Sequence, residues 1–358
     1  MGETQQQIDR LLNNSTTYTS IELFAGAGGM ALGMEKAGLE HILLNDFDRY
    51  ATETLKKNRP NWNVVHGDIT KIDFYPYQGV DLLTGGFPCQ AFSYAGKKRG
   101  MEDTRGTLFY EFARALEESQ PKVFLAENVK GLKSHDGGRT LETMVDVFSA
   151  MGYEVLAPTV LKGIHYNVPQ KRERIFIVGI KKEYAEQVTF KWPKENEKIY
   201  NLKDALYKGK LYDSDVPLSH GQVYPEKKKI VLDLVPAGGY WRDLPLELQK
   251  EYMMKSFYLG GGKTGIARRI SWDEPCLTLT CSPAQKQTER CHPDETRPFT
   301  VREYARIQTF PDTWEFAGSM TNQYKQIGNA VPMNLAYAVG KSLVQLLDDI
   351  KKVENESL

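Results

Sequence analysis

The sequence predicts an α/β protein: a doubly wound, mostly parallel sheet with a second, smaller, loop-rich domain. Three observations predict it. The first half of the chain alternates short apolar runs with amphipathic stretches, as strands joined by helices do. A glycine-rich turn, Phe24-Ala25-Gly26-Ala27-Gly28-Gly29, follows the first apolar run and opens the first amphipathic stretch. From about Lys181 the alternation dissolves into a segment rich in Lys, Tyr, Gly and Pro.

Taken in order, Tyr18 to Phe24 reads as a strand, Met30 to Ala37 as a helix, His41 to Asn45 as a strand and Tyr50 to Asn58 as a helix. Val80 to Thr84, Val123 to Ala126 and Arg174 to Ile180 are further strands, with helices at Phe109 to Ser119 and Thr140 to Met151. Residues 1–184 form the larger domain in this reading. Residues 185–296 form the smaller one, with Gly260-Gly261-Gly262 and the basic pair Arg268-Arg269. Residues 297–312 connect, and residues 313–358 return to the larger domain. The return ends in a helix, Met333 to Leu347, whose apolar spacing docks it on the sheet. Ligands of such folds sit at the carboxyl ends of the strands.

The 46 basic and 46 acidic side chains balance, so no global field announces a nucleic-acid partner, although local patches can still bind one. No run of about 18 apolar residues exists, which argues against a membrane span. Met1 to Ser20 is polar, lacks an apolar signal core and reads as a leader before the first strand. The four cysteines, Cys89, Cys276, Cys281 and Cys291, are expected to be free thiols of a reducing compartment. The last three lack paired C-x-x-C spacing, so no metal is expected.

The glycine turn is G-x-G-G, not the G-x-G-x-x-G of a dinucleotide loop. Asp46 ends the second strand 18 residues past Gly28, where a carboxylate holds ribose hydroxyls. Asp68, in Gly67-Asp68-Ile69-Thr70, ends a third apolar run and is set to accept from an adenine amino group. A nucleoside with a carboxylate tail at the helix N-terminus, such as S-adenosylmethionine, fits better than a pyrophosphate.

Phe87-Pro88-Cys89-Gln90 puts a thiol where a buried strand breaks into a turn: a stiff base with access to solvent. Glu127-Asn128-Val129 and Gln170-Lys171-Arg172-Glu173-Arg174 follow at the ends of later runs. Thiol, carboxyl and guanidinium then converge on one flat polar substrate. Each also has a plainer reading: a buried Cys, a helix cap at Glu127-Asn128 and a solvated basic turn.

The blocks Phe24–Gly29, Gly67–Thr70, Gly85–Ser93, Glu127–Val129, Gln170–Arg174, Arg297–Asp312 and Tyr324–Pro332, in that order, resemble those of DNA (cytosine-5) methyltransferases of the bacterial restriction-modification type. The resemblance covers Ile21 to about Leu347. It implies methylation of carbon 5 of a cytosine flipped from duplex DNA, with S-adenosylmethionine converted to S-adenosylhomocysteine and no metal. It implies Cys89 as the nucleophile on carbon 6, Glu127 on ring nitrogen 3 and the amino edge, Arg172 on the ring carbonyl oxygen, and Arg174 in the same cluster. It assigns the cofactor to Phe24, Ala25, Gly26, Gly28, Gly29, Asp46, Phe47, Asp68, Ile69, Gly86, Pro88, Leu108, Asn329 and Val331. In that assignment Phe47 faces the adenine and Asn329 approaches the methionine end.

Residues 91–107 would be a mobile loop closing over DNA. Its contacts would be Ser93, Lys97, Lys98, Arg99 and Arg105, with Gln90 just before them. Gln170 would also contact DNA, as would Arg268, Arg269 and Thr278 in the target-recognition region, 185–296. The implied enzyme is a bacterial, cytoplasmic, nucleoid-associated monomer on double-stranded DNA, paired with a cognate restriction endonuclease. Two alternatives stay open. A tRNA cytosine-5 methyltransferase would carry a Cys-Phe-Thr signature, absent here. A non-catalytic DNA-binding homologue usually loses residues of the kind retained at Cys89, Glu127, Arg172 and Asn329.

Overall fold

The computed structural model describes residues 17–88 and 108–356. The expectations for the leader up to residue 16, and for Cys89, Gln90, Ser93, Lys97, Lys98, Arg99 and Arg105, lie outside the described residues.

Five strands run parallel: β1 (Tyr18–Leu23), β2 (Leu39–Asp46), β3 (Val64–His66), β4 (Leu82–Gly85) and β5 (Val123–Val129). Leu82, Leu83 and Val123 to Leu125 are wholly buried, as strands covered on both faces must be. The connecting helices include α1 (Gly29–Ala37), α2 (Arg49–Asn58) and α3 (Leu108–Ser119). Asp48 caps α2, accepting from the amides of Tyr50 and Ala51.

After α4 (Arg139–Ala150) come β6 (Tyr153–Val155), β7 (Thr159–Lys162), β8 (Gln170–Lys171) and β9 (Glu173–Lys181). The sheet order is β3-β2-β1-β4-β5-β9-β6, with β7 also on β9. β9 is antiparallel to β5, β6 and β7. The strand order reverses between β1 and β4, which opens a crevice at their carboxyl ends. β6 and β7 are too short to register as apolar runs in the sequence.

The remaining helices are α5 (Lys182–Ala185), α6 (Leu202–Leu206), α7 (Glu226–Asp233), α8 (Leu246–Met253), α9 (Val301–Ile307), α10 (Met320–Asn329) and α11 (Met333–Glu356). α11 lays Leu335, Val339, Leu343, Leu347 and Ile350 into the core and runs past the expected Leu347. Lys122 Nζ and the Tyr184 hydroxyl both bond Glu354, at 2.9 and 2.8 Å, and hold its last turns.

A separate apolar core joins Tyr224, Leu232, Val235, Trp241, Leu244, Met253, Ile266, Ala267 and Cys291. Leu202, Leu206, Ile270, Cys276 and Leu279 instead share a cluster with Ala25, Leu55, Tyr304 and Trp314. Within residues 185–296 the separate core draws on residues 224–267 and Cys291. β10 (Cys276–Leu277) pairs in parallel with β8 and draws its neighbours onto the larger body.

Candidate active site

At the carboxyl end of β1 the chain turns through Phe24 (φ 57°) and Gly26 (φ 54°). A bulky residue at positive φ is strained backbone, tolerated where surroundings over-determine it. A side chain at Gly26 would meet nothing within 4 Å, so the turn faces open space. The Gly26 amide donates to Asp46 Oδ2 and the Asp48 amide to Asp46 Oδ1, both at 2.7 Å. Burial lifts the Asp46 carboxyl above its ordinary range, against those two amides. The next residue, Phe47, leaves 76% of its surface exposed.

Asp68 is exposed and accepts from the Thr70 amide at 3.0 Å, which lowers its pKa. Ile69 is buried in the core, so its main chain is what it offers a ligand. Ala27 O accepts from Trp314 Nε1 at 3.1 Å, which fixes the turn from behind. A Cβ at Gly29 would run into Val331 O and Ala330, so the segment after Asn329 lies against the start of α1. Val331 is buried, Leu108 half-buried, and Asn329 and Pro88 exposed. Amides, two carboxyls and an open aromatic face around one crevice fit a nucleoside with a charged tail.

Glu127 sits near the carboxyl end of β5. Its cross-strand partner on β9 is Phe176, and Arg174 is the diagonal neighbour on the same face. That register brings Arg174 Nε to 2.7 Å from Glu127 Oε1, with both side chains nearly buried. Burial raises the Glu127 pKa, overcoming the pull of Arg174 and Arg172. Glu127 Oε2 lies 2.8 Å from where a Cβ on Gly86, just past β4, would stand, so a side chain there would displace the carboxylate. Asn128 Nδ2 donates to Phe87 O at 2.8 Å. It thereby fixes the segment leading to Pro88, the last described residue before Cys89.

Three residues depart from expectation. Arg172 is 1% exposed. It donates from Nη1 to Leu279 O (3.1 Å) and from Nη2 to Gly328 O (2.8 Å), so its terminal nitrogens hold backbone in place of a ring oxygen. Gln170 is wholly buried. It bonds Gln308 Oε1, Ile307 O and the Leu279 amide and has nothing left for DNA. Arg269 is 5% exposed, and its guanidinium bonds Val235 O, Leu232 O, His292 O, Pro293 O and Thr296 Oγ1. It is an internal brace and not a reading side chain.

The Thr278 hydroxyl is spent on Lys171 O at 2.5 Å. Arg268, by contrast, lies 5.9 Å from the Tyr240 ring centre. Among the described residues its side chain makes no hydrogen bond or ion pair, and its Nε is buried without a partner.

Sequence reasoning missed Asn128 as a holder of the Phe87 turn, although it had flagged the tripeptide that contains it. It weighed Cys281 only as a metal ligand, yet Cys281 Sγ lies 3.0 Å from Asn329 Oδ1. It also passed over Glu22, a fully buried carboxyl on β1. Neither Glu22 oxygen has a geometric hydrogen-bond partner among the described residues. A charged residue inside an apolar run was the available signal.

A family model described as C-5 cytosine-specific DNA methylase matches residues 18–345. The chain is 66% identical over 340 residues to the Type II methyltransferase M.Eco47II of Escherichia coli, covering 95% of this chain and 82% of that one. It is 58% identical over 361 residues to the Type II methyltransferase M.PspPI of Psychrobacter sp. (strain TA137), covering 98% and 87%. The structure of the Entamoeba histolytica methyltransferase EhMeth superposes with a TM-score of 0.64 at 15% identity, covering 94% of this chain and 99% of that one. That last likeness is one of fold.

Proposed function

This chain belongs to the C-5 cytosine-specific DNA methylase family, and on that premise we propose how its own residues carry the reaction. It is a DNA (cytosine-5) methyltransferase of the Type II restriction-modification kind. When bound, S-adenosylmethionine supplies an electrophilic methyl group. The Gly26 turn, Asp46, Phe47 and Asp68 hold its nucleoside, and Asn329 borders its amino-acid end.

Cys89 attacks carbon 6 of the flipped cytosine as a thiolate, which makes carbon 5 nucleophilic enough to accept the methyl group. The carbon 5 proton and Cys89 then leave and the ring is restored. Glu127, protonated, donates to ring nitrogen 3 as charge develops there. The single observation that carries this reading is the buried Glu127–Arg174 pair, 2.7 Å apart, beside the Gly86–Pro88 turn that leads to Cys89. Arg174, not Arg172, takes the ring oxygen: its Nη2 makes no hydrogen bond among the described residues, while both terminal nitrogens of Arg172 hold backbone and its unpartnered Nε is buried. Arg172 acts by holding Leu279 and Gly328 behind the pocket.

Arg268 contributes to recognition of the duplex. The enzyme works as a monomer in the cytoplasm, on nucleoid DNA, and protects a site cut by a cognate endonuclease.

The test is incubation with S-adenosylmethionine and random duplexes, followed by bisulfite mapping, with Cys89→Ser as control. One enriched motif, absent with Cys89→Ser, is the expected result. Methylation by Cys89→Ser at the wild-type rate would overturn the mechanism. No methylation by either protein would direct the search to RNA substrates.

A further inference from the structure

The segment after β10 and the end of α10 are pressed together next to the crevice. A Cβ on Gly328 would come within 2.8 Å of the Cys281 amide nitrogen, so backbone packs on backbone there. Arg172 bridges the two segments through Leu279 O and Gly328 O. The Tyr304 hydroxyl donates to Thr280 O at 3.0 Å and accepts from the Thr280 amide at 3.2 Å. Gln308 Nε2 donates to Ile327 O at 2.7 Å and Ala330 O at 3.3 Å, on either side of Asn329. Both main chains are therefore held, and what is left to set is the Asn329 side chain. It is exposed at the helix end, and an exposed Asn amide has two orientations about χ2.

We infer that Cys281 is a positioning residue: its thiol donates to Asn329 Oδ1 and so turns the Asn329 amide nitrogen toward the bound cofactor. The sulfur lies 3.0 Å from that oxygen, across 48 residues of sequence. Donation requires the protonated thiol. Burial raises the Cys281 pKa, against the pull of Arg172 and Lys325, so the proton is retained near neutral pH. Lys325 Nζ pairs with Asp48 Oδ2 at 2.7 Å and makes no hydrogen bond to Asn329 among the described residues. With the oxygen occupied by the thiol, the two N–H groups of Asn329 face a ligand carboxylate and not a carbonyl. The site thus carries a second cysteine, one that orients the cofactor side and takes no part in covalent chemistry.

The inference rests on the reading of Asn329 as a cofactor contact, and the experiment separates the two. S-adenosylmethionine affinity is measured by calorimetry on the full chain for Asn329→Ala, Cys281→Ala, Cys281→Ser and the Asn329→Ala/Cys281→Ala double variant. KM and kcat are measured alongside. Asn329→Ala should weaken binding. Cys281→Ala should weaken it about threefold to tenfold, the size of one hydrogen bond, through KM with kcat little changed. Cys281→Ser, which keeps a donor, should recover most of the loss. The double variant should bind no worse than Asn329→Ala.

If Asn329→Ala binds normally, the cofactor reading of Asn329 falls and the inference with it. If Asn329→Ala weakens binding while Cys281→Ala does not, the inference alone falls. Equal losses for Cys281→Ala and Cys281→Ser would mean that the sulfur only fills space, and would also overturn it.

Discussion

Arg174 in the strand-end site and Arg269 in the small core are buried to nearly the same degree, 9% and 5% exposed, yet they do opposite things. Arg174 comes off a nine-residue strand whose backbone is already satisfied by β5 and β7. Its side chain is therefore free to meet a carboxyl and keep a nitrogen for a ligand. Arg269 lies in a region with little regular structure, where one isolated bridge to Cys291 is its only ladder contact among the described residues. Buried carbonyls there have no sheet partners, and a guanidinium with five donors is the side chain best able to satisfy them. Here the long strand leaves its arginine available for chemistry, and the irregular core consumes its own.

The largest break with this picture would come from the strand-end pair. Glu127→Gln keeps the volume but removes the carboxyl proton that shifts in the reaction. We expect turnover to fall by about 10²–10³-fold, with cofactor affinity close to wild type. Single-turnover methyl transfer at saturating DNA checks it. A rate within twofold of wild type would remove Glu127 from the chemistry.

Next in size is Glu22, on the strand that leads into the Gly26 turn. Burial raises its carboxyl to about 8 from an ordinary 4.5. A pKa raised by folding stabilises below the unfolded value, and that contribution is lost as pH climbs through the folded one. Wild type should therefore lose stability relative to Glu22→Gln between pH 4.5 and 8, by at most ~5 kcal/mol, and match it at acid pH. Denaturant midpoints across that range decide the matter. Parallel curves for the two proteins would mean that Glu22 is charged and satisfied in the fold.

Much of the strand-end site was legible because its signals are local. Asp46, Glu127 and Arg174 each end or begin an apolar run, and a run's end is where a parallel sheet exposes side chains. β9 was found for the same reason, but its antiparallel direction was not, since direction depends on the short β6 and β7. Gln170 and Arg172 were misassigned because their partners, Leu279, Gln308 and Gly328, lie more than 100 residues away. No spacing rule reaches that far. Arg268 and Arg269 were inseparable in sequence for a similar reason: neighbours in a loop point in different directions, and only the packing decides which is buried.

Arg269→Ala tests the brace directly. It strands four carbonyls and a hydroxyl in a small core, so we expect a loss of about 3 kcal/mol, with cofactor affinity unchanged where the protein stays folded. Thermal melting with and without S-adenosylmethionine reads both. A variant as stable as wild type that had lost DNA affinity would return Arg269 to the recognition surface.

The smallest effect sharpens the comparison most, because it concerns the next residue. Arg268 rests near the Tyr240 ring with no hydrogen bond or ion pair among the described residues, so its removal should leave the melting temperature nearly unchanged. Its guanidinium is available to duplex DNA, and losing one such contact costs about 1 kcal/mol. If the contact is to phosphate, the slope of log affinity against log salt should also shrink by about 0.9. If it is to a base edge, the slope should hold while discrimination between sites falls. A fluorescence-anisotropy titration of Arg268→Ala at several salt concentrations distinguishes them. Unchanged affinity and unchanged slope would mean that neither arginine of the pair touches DNA, and that recognition rests on other parts of residues 185–296.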